Sequence, residues 1–243
     1  MDSNKSSDKR KPTLWLLPSS MSDGPVSDVL PARNIEVARS LRYFIVENVR
    51  TARRFLKRCD PSIDINELTF FVLNTHTQPE ELATMLEPMD AGHDMGVISE
   101  AGCPAIADPG ADIVALVHER GYNVEPLVGP SSIILGLMAS GFNGQSFAFL
   151  GYLPIDARQR GERLKDMERR IMRENQTQIF IETPYRNNRL IAELVKALPA
   201  GLKLCAASDL TGARQSVTTQ TLGRWASACY DYDKTPTIYL LYK

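Results

Sequence analysis

Short apolar runs alternate along this chain with longer stretches in which apolar residues recur every third or fourth position, the mark of strands alternating with amphipathic helices. The clearest block spans residues 94–141. Met95 to Ile98 is an apolar run of the kind a buried strand shows. The loop SEAGCPAIADPG follows. Asp108 stands where an N-cap is expected and Pro109 at the first helical position, where a missing N–H does no harm. Ala111 to Glu119 then reads as a packed helix ended by Gly121. A second strand, Val124 to Val128, runs into Gly129-Pro130-Ser131-Ser132, where Ser131 or Ser132 caps a helix that ends at Gly141. Two such units in succession imply parallel strands with a right-handed crossover. Both Gly/Pro loops then leave the carboxyl ends of their strands, the edge at which open α/β sheets bind ligands. The loops contain neither G-x-G-x-x-G nor G-K-[ST], so dinucleotide and P-loop chemistry are not indicated.

The same alternation continues on both sides. Leu14 to Leu17, Tyr43 to Val46 and Phe70 to Leu73 read as strands, with a helix over Asn34 to Leu41 between the first two. The helix after Glu47 places Arg50, Arg53, Arg54 and Lys57 at i, i+3, i+4 and i+7, hence on one face. That stripe is either a phosphate-contacting face or a solvated one. Pro79-Glu80-Glu81 reads as a helix start with acids in its first turn, and His76 sits in the loop before it. After Gly141 the pattern changes. Ser146 to Leu150 is a strand, and residues 158–175 form a charged helix with apolar positions at Leu164, Met167 and Ile171. Thr177 to Ile181 is a strand ending in Glu182-Thr183-Pro184, with Thr183 as cap of an amphipathic helix from Tyr185 to Leu198. Leu202 to Ala207 is a strand. Gln215 to Leu222 and Thr237 to Tyr242 look like paired strands with a short helix, Arg224 to Cys229, between them. The expected organisation is a disordered N-terminus over 1–12, an α/β domain over 13–143 and a second α/β domain over 144–243.

Composition narrows the function. The 243 residues carry 43% apolar residues and a net charge of −1, which fits a globular protein and not a polycation built to coat nucleic acid. The cysteines are scattered without a C-x-x-C pair and the three histidines without ligand spacing, so no metal site is expected. No apolar run reaches membrane-spanning length and the N-terminus lacks an apolar signal segment, so no membrane association and a cytoplasmic location are expected.

SEAGCPAIADPG followed by LVGPSS resembles the S-D-A-G-T-P-x-x-x-D-P-G and P-G-P-S/C-A signatures of the tetrapyrrole-methylase-like superfamily. Within it the chain looks most like the branch that methylates a ribose 2′-hydroxyl of small-subunit ribosomal RNA. YLP at 152–154 resembles the family's G-F-L-P, and IFIETPYR at 179–186 its Y-E-S-P-H-R. The likeness implies two α/β domains with a cleft for S-adenosylmethionine between them, a homodimer, and an RNA acceptor. It implies cofactor contacts from Ser99, Glu100, Ala101, Gly102, Cys103, Pro104 and Asp108, and from Gly129, Pro130, Ser131 and Ser132. From the second half it implies Thr183, Pro184, Leu210, Thr211 and Pro236. The chain also departs from the family elsewhere. PSSMSDGPVSDVLP replaces T-P-I-G-N-L-x-D, Glu47-Asn48-Val49-Arg50 replaces E-D-T-R, and SDLTGARQ replaces R-E-L-T-K-x-x-E.

Methyl transfer from a sulfonium is an in-line displacement, so the protein mainly positions the reactants and needs no covalent nucleophile. A ribose hydroxyl is a weak nucleophile and gains from a base near it. Glu47, Glu100, Glu182 and Asp209 all follow expected strands and are the catalytic candidates; the sequence does not choose among them. Arg50, Arg53, Arg54 and Lys57 are the candidate RNA contacts. Methylation of a tetrapyrrole or other small molecule is an alternative, as is a non-catalytic ligand-binding role.

Overall fold

The computed structural model describes residues 10–74 and 77–243. The chain divides into two compact units, Met1–Ser20 with Pro25–Pro130, and Met21–Gly24 with Ser131–Lys243. In the first unit β1 (Thr13–Leu17), β2 (Tyr43–Val46), β3 (Thr69–Val72), β4 (Met95–Ile98) and β5 (Asn123–Pro126) form a five-stranded parallel sheet in the order β3-β2-β4-β1-β5. Its central strands are apolar on both faces, as a sheet covered on both sides requires. Helices α1 (Ala32–Ser40) and α2 (Val49–Cys59) cover one face, where Val37, Phe55 and Leu56 meet Leu17 and Phe44. Helices α3 (Pro79–Met85), α4 (Glu87–Asp90) and α5 (Ala111–Glu119) cover the other, where Met89, Ile113 and Val117 meet Ile45 and Val97. The chain leaving β1 therefore turns to one face and the chain leaving its neighbour β4 turns to the opposite face. Such a divergence is a topological switch point, and it opens a crevice at the carboxyl ends of the two strands.

The second unit holds α6 (Ser132–Ser140), β6 (Phe147–Tyr152), α7 (Ala157–Glu174), β7 (Thr177–Ile181), α8 (Asn187–Ala197), β8 (Lys203–Ser208), β9 (Ser216–Thr221), α9 (Leu222–Trp225) and β10 (Thr237–Tyr242). Its sheet order is β6-β7-β10-β8-β9, parallel between β6 and β7 and antiparallel elsewhere. The face of α7 carrying Leu164, Met167 and Ile171 is buried against Phe180, Leu190 and Tyr239. On the other sheet face Leu137, Ile133 and Leu135 of α6 pack with Ile179, Cys205, Ile238 and Leu240. The sequence reading placed this helix with the first domain, whereas the compact units divide at Pro130 and Ser131.

Several local expectations change. Asp108 does not cap α5: the N-cap is Gly110, whose φ of 139° only glycine adopts readily, and Pro109 lies in the preceding turn. The chain from Pro184 begins as a short 3-10 turn, Pro184–Arg186, before α8 starts at Asn187, and Thr183 makes no side-chain cap. β9 and β10 are not partners, because β8 lies between them. The apolar sequence TIYLLY suits a central strand bonded on both sides. The segment read as disordered is held where it is described: Arg10 bonds Asp94, and the Pro12 carbonyl accepts from Asn123. Residues 1–9 and His76 lie outside the described residues.

Candidate functional site

The two loops that leave β1 and β4 are tied to each other. Ser19 N–H donates to the Gly102 carbonyl at 2.9 Å, and Gly102 N–H donates back to Ser19 at 3.2 Å. The Ser99 hydroxyl donates to the same Gly102 carbonyl at 2.7 Å. Gly102 turns the chain with a φ of 81°, and Ala105 and Ala107 also occupy the left-handed region, at 62° and 58°. Two non-glycine residues held there store strain of about 1–3 kcal/mol each, which is retained where the surroundings fix a loop's shape. The loop after β5 closes the group. Cys103 Sγ lies 3.5 Å from the Pro130 carbonyl, and burial raises its pKa, so it is a packed thiol and not an activated one. A Cβ on Gly129 would lie 2.2 Å from Pro18 Cβ, so glycine is required there by the loop after β1 itself.

Three carboxyl groups gather at this edge: Glu47 after β2, and Glu100 and Asp108 in the loop after β4. Burial first, then the hydrogen bond and charge of Glu47 and the charge of Glu100, push the Asp108 carboxyl from its usual 3.8 up to about 8. At neutral pH Asp108 therefore keeps its proton and can donate it to Glu47. Glu47 Oε1 is buried with no hydrogen-bond partner, and so is Ser19 Oγ. Glu100 is exposed and accepts from the Thr51 hydroxyl in the first turn of α2. That turn is capped by Asn48, whose side chain accepts from the amides of Arg50 at 2.9 Å and Thr51 at 3.3 Å. Asn caps as well as Asp, so the change from E-D-T-R costs the helix little. Asp108 also borders a pocket of 460 Å³ with Leu73 and Asn74 at the end of β3.

On α2, Arg50, Arg53, Arg54 and Lys57 are all exposed. The Arg53 guanidinium lies 5.4 Å from the Phe70 ring centroid, and Lys57 Nζ donates to the Pro61 carbonyl.

In the second unit the ends of β7 and β8 and the start of β10 share one sheet edge. Glu182 is buried and committed to structure: Oε1 accepts from the Thr183 amide at 2.8 Å, and Oε2 lies 3.9 Å from Arg160 of α7. Arg160 is itself buried and bonds Glu193 at 3.0 Å and the Pro154 carbonyl at 2.8 Å. Asp209 is likewise engaged, accepting from the Arg214 amide at 2.8 Å within a turn where Asp209 and Thr211 have φ of 47° and 69°. The Pro236 carbonyl accepts from the Asp209 amide, and the Pro184 carbonyl from the Lys234 amide. Leu210 points into the core beside Met21, and the Ser22 hydroxyl donates to the Thr211 carbonyl at 2.9 Å. Asn187, buried at the start of α8, holds the carbonyls of Tyr232 and Thr235 at 2.7 and 2.8 Å. Ser131 precedes α6 without a side-chain cap, and Ser132 begins it. Ser19, Thr51, Arg160 and Asn187 escape sequence reasoning because each acts through a partner distant in the chain. Only Asn48 carries a local signal, a capping residue just before a helix.

The donor set of the first unit fits a cofactor that brings hydroxyl and amine donors and a positive charge. It offers orphaned oxygens at Glu47 and Ser19, an exposed carboxylate at Glu100, and a shaped loop between them. Among the described residues no group of side chains could hold a metal ion, and no helix is long and apolar enough to cross a membrane.

Comparison with known proteins agrees with the fold. A family model described as tetrapyrrole (corrin/porphyrin) methylases matches residues 30–226. A ribosomal RNA small subunit methyltransferase I from Vibrio cholerae is 28% identical over 211 residues, covering 87% of this chain and 69% of the relative. The crystal structure of the methyltransferase CobJ matches with a TM-score of 0.62 at 16% identity, over 96% of this chain and 94% of its own. Uroporphyrin-III C-methyltransferase from Thermus thermophilus, complexed with S-adenosyl homocysteine, matches with a TM-score of 0.58 at 13% identity, over 96% of this chain and 97% of its own.

Proposed function

We propose, from the premise that the chain belongs to the tetrapyrrole (corrin/porphyrin) methylase family, that it is an S-adenosylmethionine-dependent methyltransferase whose acceptor is a ribose 2′-hydroxyl of ribosomal RNA. The observation that carries the acceptor is the 28% identity, over 87% of the chain, to a protein named for methylating small-subunit ribosomal RNA. Similarity to tetrapyrrole enzymes is weaker in sequence, at 13–16%.

S-adenosylmethionine supplies an already activated methyl group. The chain then has to bind, orient and take up one proton. In this reading the candidate cofactor contacts of the first unit are Ser99 to Pro104, Asp108, Gly129 and Pro130. Ser131, Ser132, Thr183, Pro184, Leu210, Thr211 and Pro236 are those of the second unit, taken by itself. Glu47 and Glu100 are preferred to Glu182 and Asp209 as proton acceptor, because the latter two spend their oxygens on local structure, while Asp108 already holds its proton at neutral pH. The protein works as a homodimer in the cytoplasm. A light-scattering mass at micromolar concentration should be twice 27.1 kDa; a monomer mass removes the dimer from the reading.

The deciding experiment maps ribose methylation of ribosomal RNA in cells with and without the protein. A ribose position in small-subunit RNA should lose its methyl group. An unchanged map overturns the acceptor.

A further inference from the structure

At the opposite edge of the first sheet, where β1, β2 and β4 begin, lies a pocket of 560 Å³ that the methyl-transfer reading does not use. It is in the size range of small-ligand sites. Four cations line it, Arg10, Lys11, Arg33 and Arg42, against the acids Glu36 and Asp94, so it is net positive. Asp94 organises the wall: it accepts from Arg10 at 2.6 Å, from the Thr13 amide at 2.9 Å and from the Trp15 indole at 3.4 Å. Its charge is thus spent on the protein. The Trp15 indole, pinned by this bond, carries the Arg33 guanidinium 5.4 Å from its ring centroid. The Tyr43 and His93 rings, 5.2 Å apart, add a second aromatic wall. Among the described residues Lys11 makes no ion pair, and those of Arg33 and Arg42 are long, 3.7 Å each, and exposed, so they are worth little.

Rings interleaved with cations suit single-stranded nucleic acid, whose bases stack on the rings while its phosphates meet the cations. The basic stripe adds direction. Because α2 returns from the carboxyl end of β2 to the start of β3, the stripe from Arg50 to Lys57 runs about 10 Å away from the cofactor-side loops and toward the edge on which this pocket opens.

We infer that this pocket is a second RNA-binding subsite, which stacks an unpaired base beside Trp15 and Tyr43 and holds the adjoining phosphates with Lys11, Arg33 and Arg42. It rests on the RNA reading of the acceptor and adds a place where RNA away from the methylated nucleotide is gripped. The two edges are roughly 15 Å apart, the length of the strands between them.

The test titrates the full-length protein with a short fluorescent oligoadenylate at several salt concentrations and follows Trp15 emission in parallel. The other tryptophan, Trp225, is sealed in the second unit's core. Wild type should bind with quenching of Trp15. The K11A/R33A variant should bind more weakly, with the log–log salt slope flatter by about 1.4, since each phosphate contact on a single strand contributes about 0.7. S-adenosylhomocysteine binding should be unchanged, and the melting temperature should fall only by the little that loss of the Arg33–Trp15 contact costs, because both side chains are exposed. If wild type binds and the variant matches it in affinity and slope, the subsite is overturned while the RNA reading stands. If wild type does not bind the oligoadenylate, the subsite is overturned, while the acceptor reading stands or falls on the methylation map.

Discussion

Asp108 joins burial to two neighbouring acids, and its titration should be visible in the stability of the whole unit. Its folded pKa of about 8 lies above the usual 3.8, so the folded state holds a proton that the unfolded chain releases. That contribution to stability is complete below pH 3.8 and is lost as pH rises through about 8. Asp108→Asn keeps the shape and a donor for Glu47 while removing the titration. Its melting temperature should gain on that of wild type from pH 6 to about pH 8 and the difference should then level off; parallel curves from pH 6 to pH 8 would show that the carboxyl is not perturbed. Gly129 makes a second residue-scale case. Gly129→Ala puts a Cβ 2.2 Å from Pro18 and should cost about 1–3 kcal/mol of overpacking, with loss of S-adenosylhomocysteine affinity. Adding Pro18→Gly should restore much of the melting temperature, and no fall in the single variant would mean the loops have room. The sequence marks Gly129 as a place where the backbone turns tightly or approaches a ligand, and the structure adds Pro18 as a neighbour that leaves no room for a Cβ. Pro18 lies far away in the chain, and spacing alone does not bring it near. The same limit hides the Ser19–Gly102 tie, whereas the capping role of Asn48 is written beside the helix it serves.

At the scale of elements, α2 is the one on which the RNA reading leans. Arg53→Ala with Arg54→Ala should flatten the salt slope of oligoribonucleotide binding by about 1.4. Loss of the Arg53–Phe70 contact should cost about 0.5–1 kcal/mol of stability. An unchanged slope would make the stripe a solvated face. The first sheet was legible because parallel strands buried on both sides read as unbroken apolar runs, as in YFIV and MGVI. The second sheet was less so. Ser216–Thr221 and Thr237–Tyr242 follow one another among the strands, and sequence order suggests a pair. Instead β9 pairs with β8, its predecessor in the chain, and β10 returns between β7 and β8, and no local pattern records that. Likewise ETPYR has the letters of a capped helix, but Thr183 spends its amide and hydroxyl on Glu182, and the first turn stays 3-10.

For the whole molecule, ligand linkage gives the broadest check. S-adenosylhomocysteine at a hundred times its dissociation constant should stabilise the protein by about 2.7 kcal/mol, read as a rise in melting temperature. No rise and no calorimetric heat at millimolar ligand would end the donor-binding claim. The change of pattern after Gly141 suggests a boundary there, whereas the compact units divide before α6. α6 is apolar on most of its surface and could cover either sheet by composition; its contacts with Ile238 and Leu240 settle the matter. The position of β10 bears on how the chain is made. All strands of the first sheet have been synthesised by Pro126, so that sheet can close early. The second cannot: β6 with β7, and β8 with β9, must wait as separate fragments with open edges until residues 237–242 arrive and join them. During that interval the nascent chain exposes unpaired strands of the kind that aggregate or recruit chaperones. A premature stop before Thr237 would therefore yield two half-sheets rather than a slightly shorter protein.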